Sequence, residues 1–290
     1  MSAVTESTVT AVVTPRAVSA RWRLLLRRPT FIVGAAILLI WIVCAFAGGS
    51  IAAYSPLSQS LLAANTGPSA AHWFGTDQLG RDILARVLVG SRDILIITPL
   101  ATILGTVCGT VLGLAMGYFG GLLDLLLSRI IEAVLALPSV IVAFLFIVAL
   151  GPSEVALIIV IGFIFTPLIA RTVRAAVLAE RHLDYLPAAR LTGANAWSVM
   201  FVEILPNVLP AVLVEFSVRL GYAIFTVATL SFLGFGIQPP TPDWGADIAA
   251  NYGVLAAGYW WETLFPALAI ASLVVAINLI TDSMEQVTAS

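Results

Sequence analysis

The sequence predicts an all-α, polytopic membrane protein with six transmembrane helices and with its N- and C-termini in the cytoplasm. Three observations carry that expectation. Of 290 residues, 60% are hydrophobic and only 10% charged, and the mean hydropathy is +1.03, which excludes a water-soluble domain. Six apolar stretches are long enough, or nearly so, for a hydrocarbon core of about 30 Å, which takes roughly 20 helical residues. All 14 basic residues are Arg, none is Lys, and they are spread unevenly about those stretches.

Residues 1–30 read as a cytoplasmic tail followed by an Arg-rich segment next to the membrane, and residues 31–290 as the transmembrane domain. The first 20 residues are rich in Ser, Thr, Val and Ala, with Glu6 as their one acid, and suit a mobile tail. Arg16, Arg21, Arg23, Arg27 and Arg28 precede the first apolar run, 31–53, and hold that end inside. A cleaved signal peptide is not expected, because this run is longer than an h-region of about 7 to 15 residues. The second run is 94–116 and the third 133–150. The fourth, 155–170, is the shortest, with Arg171 and Arg174 placed to snorkel from its end. The fifth is 208–235 and the sixth 263–281. Six crossings return the C-terminus to the cytoplasm, together with the loops carrying Arg129 and the group Arg171, Arg174, Arg181 and Arg190. Arg81, Arg86 and Arg92 fall in external loops. Cys44 and Cys108 sit inside apolar runs and read as small buried hydrophobes rather than a disulfide.

Three segments outside the runs carry candidate function: an external interfacial segment 73–93, a cytoplasmic loop 176–206 and an external loop 236–258. Within the cytoplasmic loop, LPAARLTGANAWSVMFVEILP (186–206) is a moderately polar helix-turn-helix between two long apolar stretches. Ala188 and Ala189 let a short helix lie close against another protein, and Gly193 suits the positive φ that ends a helix. Leu205 and Pro206 would close a second short helix set at an angle to the first, after which the chain re-enters the membrane. The spacing A-A-x-x-x-G-x(11)-L-P resembles the cytoplasmic coupling loop of ABC importer permeases. Pro187 stands where that family usually has glutamate, and Glu203 where the general pattern is apolar; the glutamate's contact with the ATPase is not carried over.

Two further motifs resemble one branch of the importers. WFGTDQLGRDILARVLVGSRD (73–93) is similar to the G-T-D-x-x-G-R-D-x-L-x-R signature of dipeptide and oligopeptide permease subunits, and SFLGFGIQPPTPDWGADI (231–248) to their S-F-L-G-x-G-x-x-P-P-x-P-x-W-G segment. Physically, Asp77, Gly80, Arg81 and Asp82 can cap an amphipathic helix over 79–88 on the outer membrane surface, with Arg81 and Arg86 toward water or head groups. That helix would either brace the external gate or dock a solute-binding protein. Pro239, Pro240 and Pro242 stiffen the later loop as a scaffold, and Trp244 suits the membrane interface.

Glu215 and Arg219 lie one turn apart inside the fifth run and form a favourable i,i+4 pair. Because a charge at the bilayer centre costs at least about 2.5 kcal/mol, both should turn inward, either to line a pathway or to brace helices.

A chain without Lys cannot supply the P-loop G-x-x-x-x-G-K-[ST], so it binds no nucleotide itself through that motif. His72 and His182, the two histidines, lie outside the spans, so a buried Ser-His pair is lacking, and no His/Cys/Asp/Glu cluster has metal-ligand spacing. The resemblance implies an ABC importer type I permease fold in a bacterial cytoplasmic membrane. It implies a second homologous permease subunit, as a heterodimer, and two ATP-binding subunits or one fused double ATPase carrying ATP and Mg. An extracytoplasmic solute-binding protein and membrane lipid complete the partners; no nucleic acid is expected. The cargo is a di- or oligopeptide, with nickel or another peptide-like solute as the alternative in the same branch. A stand-alone secondary transporter is the runner-up, but no internal repeat is evident.

Overall fold

The computed structural model describes Leu25, residues 28–183 and residues 193–288. Those residues form helices joined by loops, in the order α1 (Pro29–Ile51), α2 (Ile83–Phe119), α3 (Gly121–Leu135), α4 (Ser139–Leu150), α5 (Glu154–Glu180), α6 (Ala196–Ser198), α7 (Leu205–Phe232), α8 (Trp244–Asn251) and α9 (Trp261–Thr288). A π-helical turn, Val199–Ile204, joins α6 to α7. The predicted tail lies outside the described residues, except for Leu25 and the segment from Arg28 onward.

Five helices are long and apolar enough to cross a membrane, and the bent pair α3–α4 supplies a sixth crossing. The predicted third span, 133–150, is therefore corrected: it straddles the end of α3 and all of α4, which meet at 90°. The cause is Pro138, which has no N–H to continue α3 and disfavours a helical residue before it. At about 1.5 Å per residue the 12 residues of α4 rise only about 18 Å, well short of a full crossing on their own.

The chain does cross back there, because α2 and α5 lie side by side and parallel. Gly105, Gly109, Gly113 and Gly117 recur every fourth residue along α2. A Cβ at these positions would sit 2.9, 2.7, 2.7 and 2.6 Å from Gly162, Ile169, Val173 and Val177 of α5, in that order. Small residues at this spacing let two helix backbones approach closely, the usual source of tight packing where lipid supplies no hydrophobic drive between helices. Beyond the seam, Ile97, Ala101 and Leu114 of α2, Leu157 and Ile161 of α5, Ile224 of α7 and Leu273 of α9 fill one continuous core.

Helix α1 packs antiparallel to α9: Thr30 and Ser283 share a hydroxyl hydrogen bond of 2.9 Å, and the Trp41 indole donates to Ser272 at 2.9 Å. The end of α1 meets the start of α2, where Gly48 lies against the Leu88 carbonyl. These pairings put the start of α1, the end of α9, the end of α5 and the segment around Gly193 on one face of the membrane domain. The arginine distribution in the sequence predicts that this face is the cytoplasmic one.

Candidate functional site

The three candidate segments form two separate sites, one at each face, with the charge pair between them. On the face opposite the chain ends, the predicted amphipathic helix 79–88 is corrected. Helix α2 begins at Ile83 and runs for 37 residues without interruption, so the segment is the root of a spanning helix. Of the four predicted capping residues, Asp82 is the N-cap, accepting from the Ala85 amide at 2.8 Å and pairing with His72 Nδ1 at 2.8 Å. Asp77 instead organises the preceding turn, accepting from the Leu79 and Arg81 amides, both at 2.9 Å, and from Arg81 Nε at 2.6 Å. Gly80 has φ +68°, and a Cβ there would collide with the Ser60 carbonyl, so only glycine closes the turn.

Arg81 and Arg86 do not face water or head groups; they are 7% and 4% exposed. Each is held by a carboxylate, and that pairing is what permits burial. Arg86 Nε donates to both oxygens of Asp247 on α8, at 3.0 and 3.1 Å, while its Nη1 reaches the Pro56 carbonyl at 3.1 Å and the Pro240 carbonyl at 3.4 Å. One guanidinium thus ties three stretches of chain together. Burial pushes the Asp247 carboxyl up, and the Arg86 charge pulls it part of the way back. Trp244 is also corrected from an interfacial position. It is buried, donates to the Val87 carbonyl at 2.9 Å and meets Trp41 edge-on at 4.8 Å. Asp243 caps α8 through the Ala246 amide and accepts from the Ser231 hydroxyl. Burial raises its pKa to about 6 against those two bonds. Glu262, at the start of α9, is buried beside Asp77, Arg86 and Asp247, with neither carboxylate oxygen hydrogen-bonded among the described residues. Sequence reading missed Asp247 and Glu262, whose burial depends on partners distant in the chain.

On the opposite face, Ala188 and Ala189 lie outside the described residues, as does Pro187. Gly193 has φ +82°, the left-handed turn its position requires. Asn195 then caps α6 by accepting from the Ser198 amide at 2.8 Å. The Trp197 ring, two-thirds exposed, stacks on Phe201 at 5.5 Å. Leu205 and Pro206 do not close a separate short helix: residues Ala196–Phe232 form one helical span. Pro206 sits in the first turn of α7, and the wider π turn before it makes room for a ring that would otherwise strike the carbonyl four residues back. Beside this segment, Arg174 of α5 does not snorkel freely but donates to Asp124 of α3 at 2.7 Å. That bond pins the bent helix to the end of α5.

Between the faces, Glu215 and Arg219 pair as predicted, Arg219 Nε to Oε1 at 2.7 Å, with side chains 13% and 19% exposed. Arg219 also lies over the Tyr222 ring at 5.6 Å. A cavity of about 270 Å³ runs along this part of α7, lined by Arg219, Tyr222, Thr226 and Thr229 and closed by Ser139 of α4 and Phe165 of α5. Arg219 lines it; Glu215 does not.

The family described as "Binding-protein-dependent transport system inner membrane component" matches residues 109–289. "N-terminal TM domain of oligopeptide transport permease C" matches residues 19–68. The dipeptide transport system permease protein DppC of Escherichia coli K12 is 40% identical over 291 residues, covering 98% of this chain and 97% of that protein. Its counterpart in Bacillus subtilis strain 168 is 35% identical over 91% of this chain and 82% of that protein. The glutathione transport system permease protein GsiD of Pectobacterium atrosepticum is 36% identical over 91% of this chain and 87% of that protein.

Proposed function

We propose a working mechanism from the premise that this chain belongs to the family of binding-protein-dependent transport system inner membrane components. It is a multi-pass permease subunit of the bacterial inner membrane, and its cargo is a di- or oligopeptide. Relatives named for dipeptide and glutathione transport, aligned over more than nine-tenths of this chain, carry that reading of the cargo. Separate ATP-binding subunits hold ATP and Mg and do the hydrolysis, a binding protein delivers cargo from outside, and a second, related permease completes the pathway as a heterodimer. The bare face of α7, where Tyr222 and Phe225 are more than half exposed, supports that completion.

In this mechanism the segment containing Ala188, Ala189 and Gly193 sits on an ATP-binding subunit. Its movement enters α5 directly. The glycine seam makes α5 and α2 one rigid unit, and the root of α2 holds Arg86 against Asp247 at the far face, so displacement at one face reaches the other. Arg219 meets the cargo carboxylate from the cavity wall, and Glu215 holds the guanidinium in place. Purifying the tagged chain from its native membrane tests the assembly: a second permease, ATP-binding subunits and a binding protein are expected with it, with ATP hydrolysis stimulated by peptide. A chain recovered alone would contradict the reading.

A further inference from the structure

A cleft of about 620 Å³ opens between α1, α2, α7 and α9. Its walls are apolar, from Ala45 and Phe46 of α1 through Leu95 and Pro99 of α2 to Ile224 of α7 and Leu273 of α9, and Arg92 is its one charged member. Arg92 stands apart from its neighbours Arg81 and Arg86. Those two are buried and paired, whereas Arg92 is exposed and has no carboxylate within ion-pair distance among the described residues. It lies six residues beyond Arg86 along α2, about 9 Å deeper. Arg92 stands two residues before the apolar run 94–116, at the end of that run opposite the chain ends, where a lipid head group is expected. Phe46, 90% exposed, stands at the mouth.

We propose that this cleft holds one phospholipid of that leaflet, with its phosphate on the Arg92 guanidinium and an acyl chain lying along Ala45, Leu95 and Pro99. A cation at the polar end of an apolar slot between transmembrane helices matches the two halves of a phospholipid, and a basic group there attracts its head group. A protein helix matches less well. Its apolar face would meet the slot but bring no anion to Arg92, the one charged residue of the lining. An acyl chain can run its whole length, about 10 Å from Arg92 to Pro99.

The test uses the whole importer complex in nanodiscs containing phosphatidylglycerol with a photoreactive group halfway along one acyl chain. Labelling is expected to concentrate on the peptide carrying Leu38 to Ile42, well above the exposed Leu126 of α3. Arg92→Gln should lower it about fivefold, the worth of one arginine at a lipid surface. Ala45→Trp should displace the label by filling the slot, and a photoreactive diacylglycerol, which lacks the phosphate, should label as weakly as the Arg92→Gln complex does with phosphatidylglycerol. Labelling no stronger than at Leu126, or unchanged by Arg92→Gln, overturns the proposal. So does a photoreactive residue in place of Ala45 that crosslinks to another protein subunit. Should Ala45→Trp fail to assemble, Arg92→Gln and the diacylglycerol comparison decide.

Discussion

Arg86 on α2 and Asp247 on α8, 161 residues apart, meet through three hydrogen bonds, from Nε to both carboxylate oxygens at 3.0 and 3.1 Å and from Nη2 to Oδ1, with both side chains almost wholly buried. The pair joins the two external motifs into one structure. Removing one partner leaves a buried charge alone, so Asp247→Ala should destabilise the purified complex by about 3 to 5 kcal/mol. The double change Arg86→Met with Asp247→Leu should recover much of that loss. Thermal unfolding of the three complexes checks this; a double variant as unstable as the single one would contradict it.

Asp243 gives a pH dependence with a fixed sign. Its folded pKa is about 6 against an ordinary 3.8, so the folded state holds the proton more tightly. The contribution to stability is greatest below pH 4, falls as pH rises from about 4 to 6, and is constant above that. Asp243→Asn keeps an effective helix cap and removes the buried charge. Above pH 6 the variant should gain on the order of 3 kcal/mol over the parent, and the gap should close by pH 4. Melting temperatures across that range measure it.

The glycine seam should tolerate no side chain at its tight positions. At Gly113 a Cβ would fall 2.7 Å from the Val173 Cβ and 2.8 Å from the Ala170 carbonyl, whereas Gly49 on α1 has nothing within 4 Å. Gly113→Val should cut the yield of assembled complex, by a cost of about 1 to 3 kcal/mol typical of overpacking. Gly49→Ala should leave the yield unchanged. Size-exclusion profiles after detergent extraction separate the two.

Arg219 should matter to cargo, and Glu215 through it. Loss of a charge-assisted bond to a carboxylate, worth about 1.5 to 3 kcal/mol, predicts that Arg219→Gln raises the KM for free dipeptide about tenfold or more. Peptides amidated at the C-terminus should be little affected. Glu215→Gln should move KM in the same direction by less. Equal effects on free and amidated peptides would assign the pair to bracing α7 alone.

Much of this was legible in local sequence, and what was not depended on distant partners. The five unbroken spans were visible as apolar runs because lipid imposes length and composition on any helix that crosses it. The third run failed at Pro138, where hydropathy is blind to direction. The burial of Arg81 and Arg86 could not be read from a neighbourhood of exposed-looking charges, since the partner of Arg86 comes from the other external loop. Trp244 followed the same rule: a tryptophan is equally at home at an interface or in a core, and the Val87 carbonyl decides. The turn at Gly193 was legible because positive φ selects glycine. The four-residue glycine repeat on α2 went unread, although small residues at that spacing are a sequence signal of a close helix contact. Leu205 and Pro206 misled because proline at a helix start and proline after a π turn look alike in sequence.

The central claim is that this chain moves peptides only when ATP hydrolysis on other subunits drives it. The direct measurement is uptake of a labelled dipeptide into vesicles containing the complete complex, with the binding protein outside and ATP with Mg on the side of the ATP-binding subunits. Uptake that requires both ATP and the binding protein, and is lost when the ATP-binding subunits are omitted, is the predicted result. ATP-independent uptake by this chain alone would contradict it.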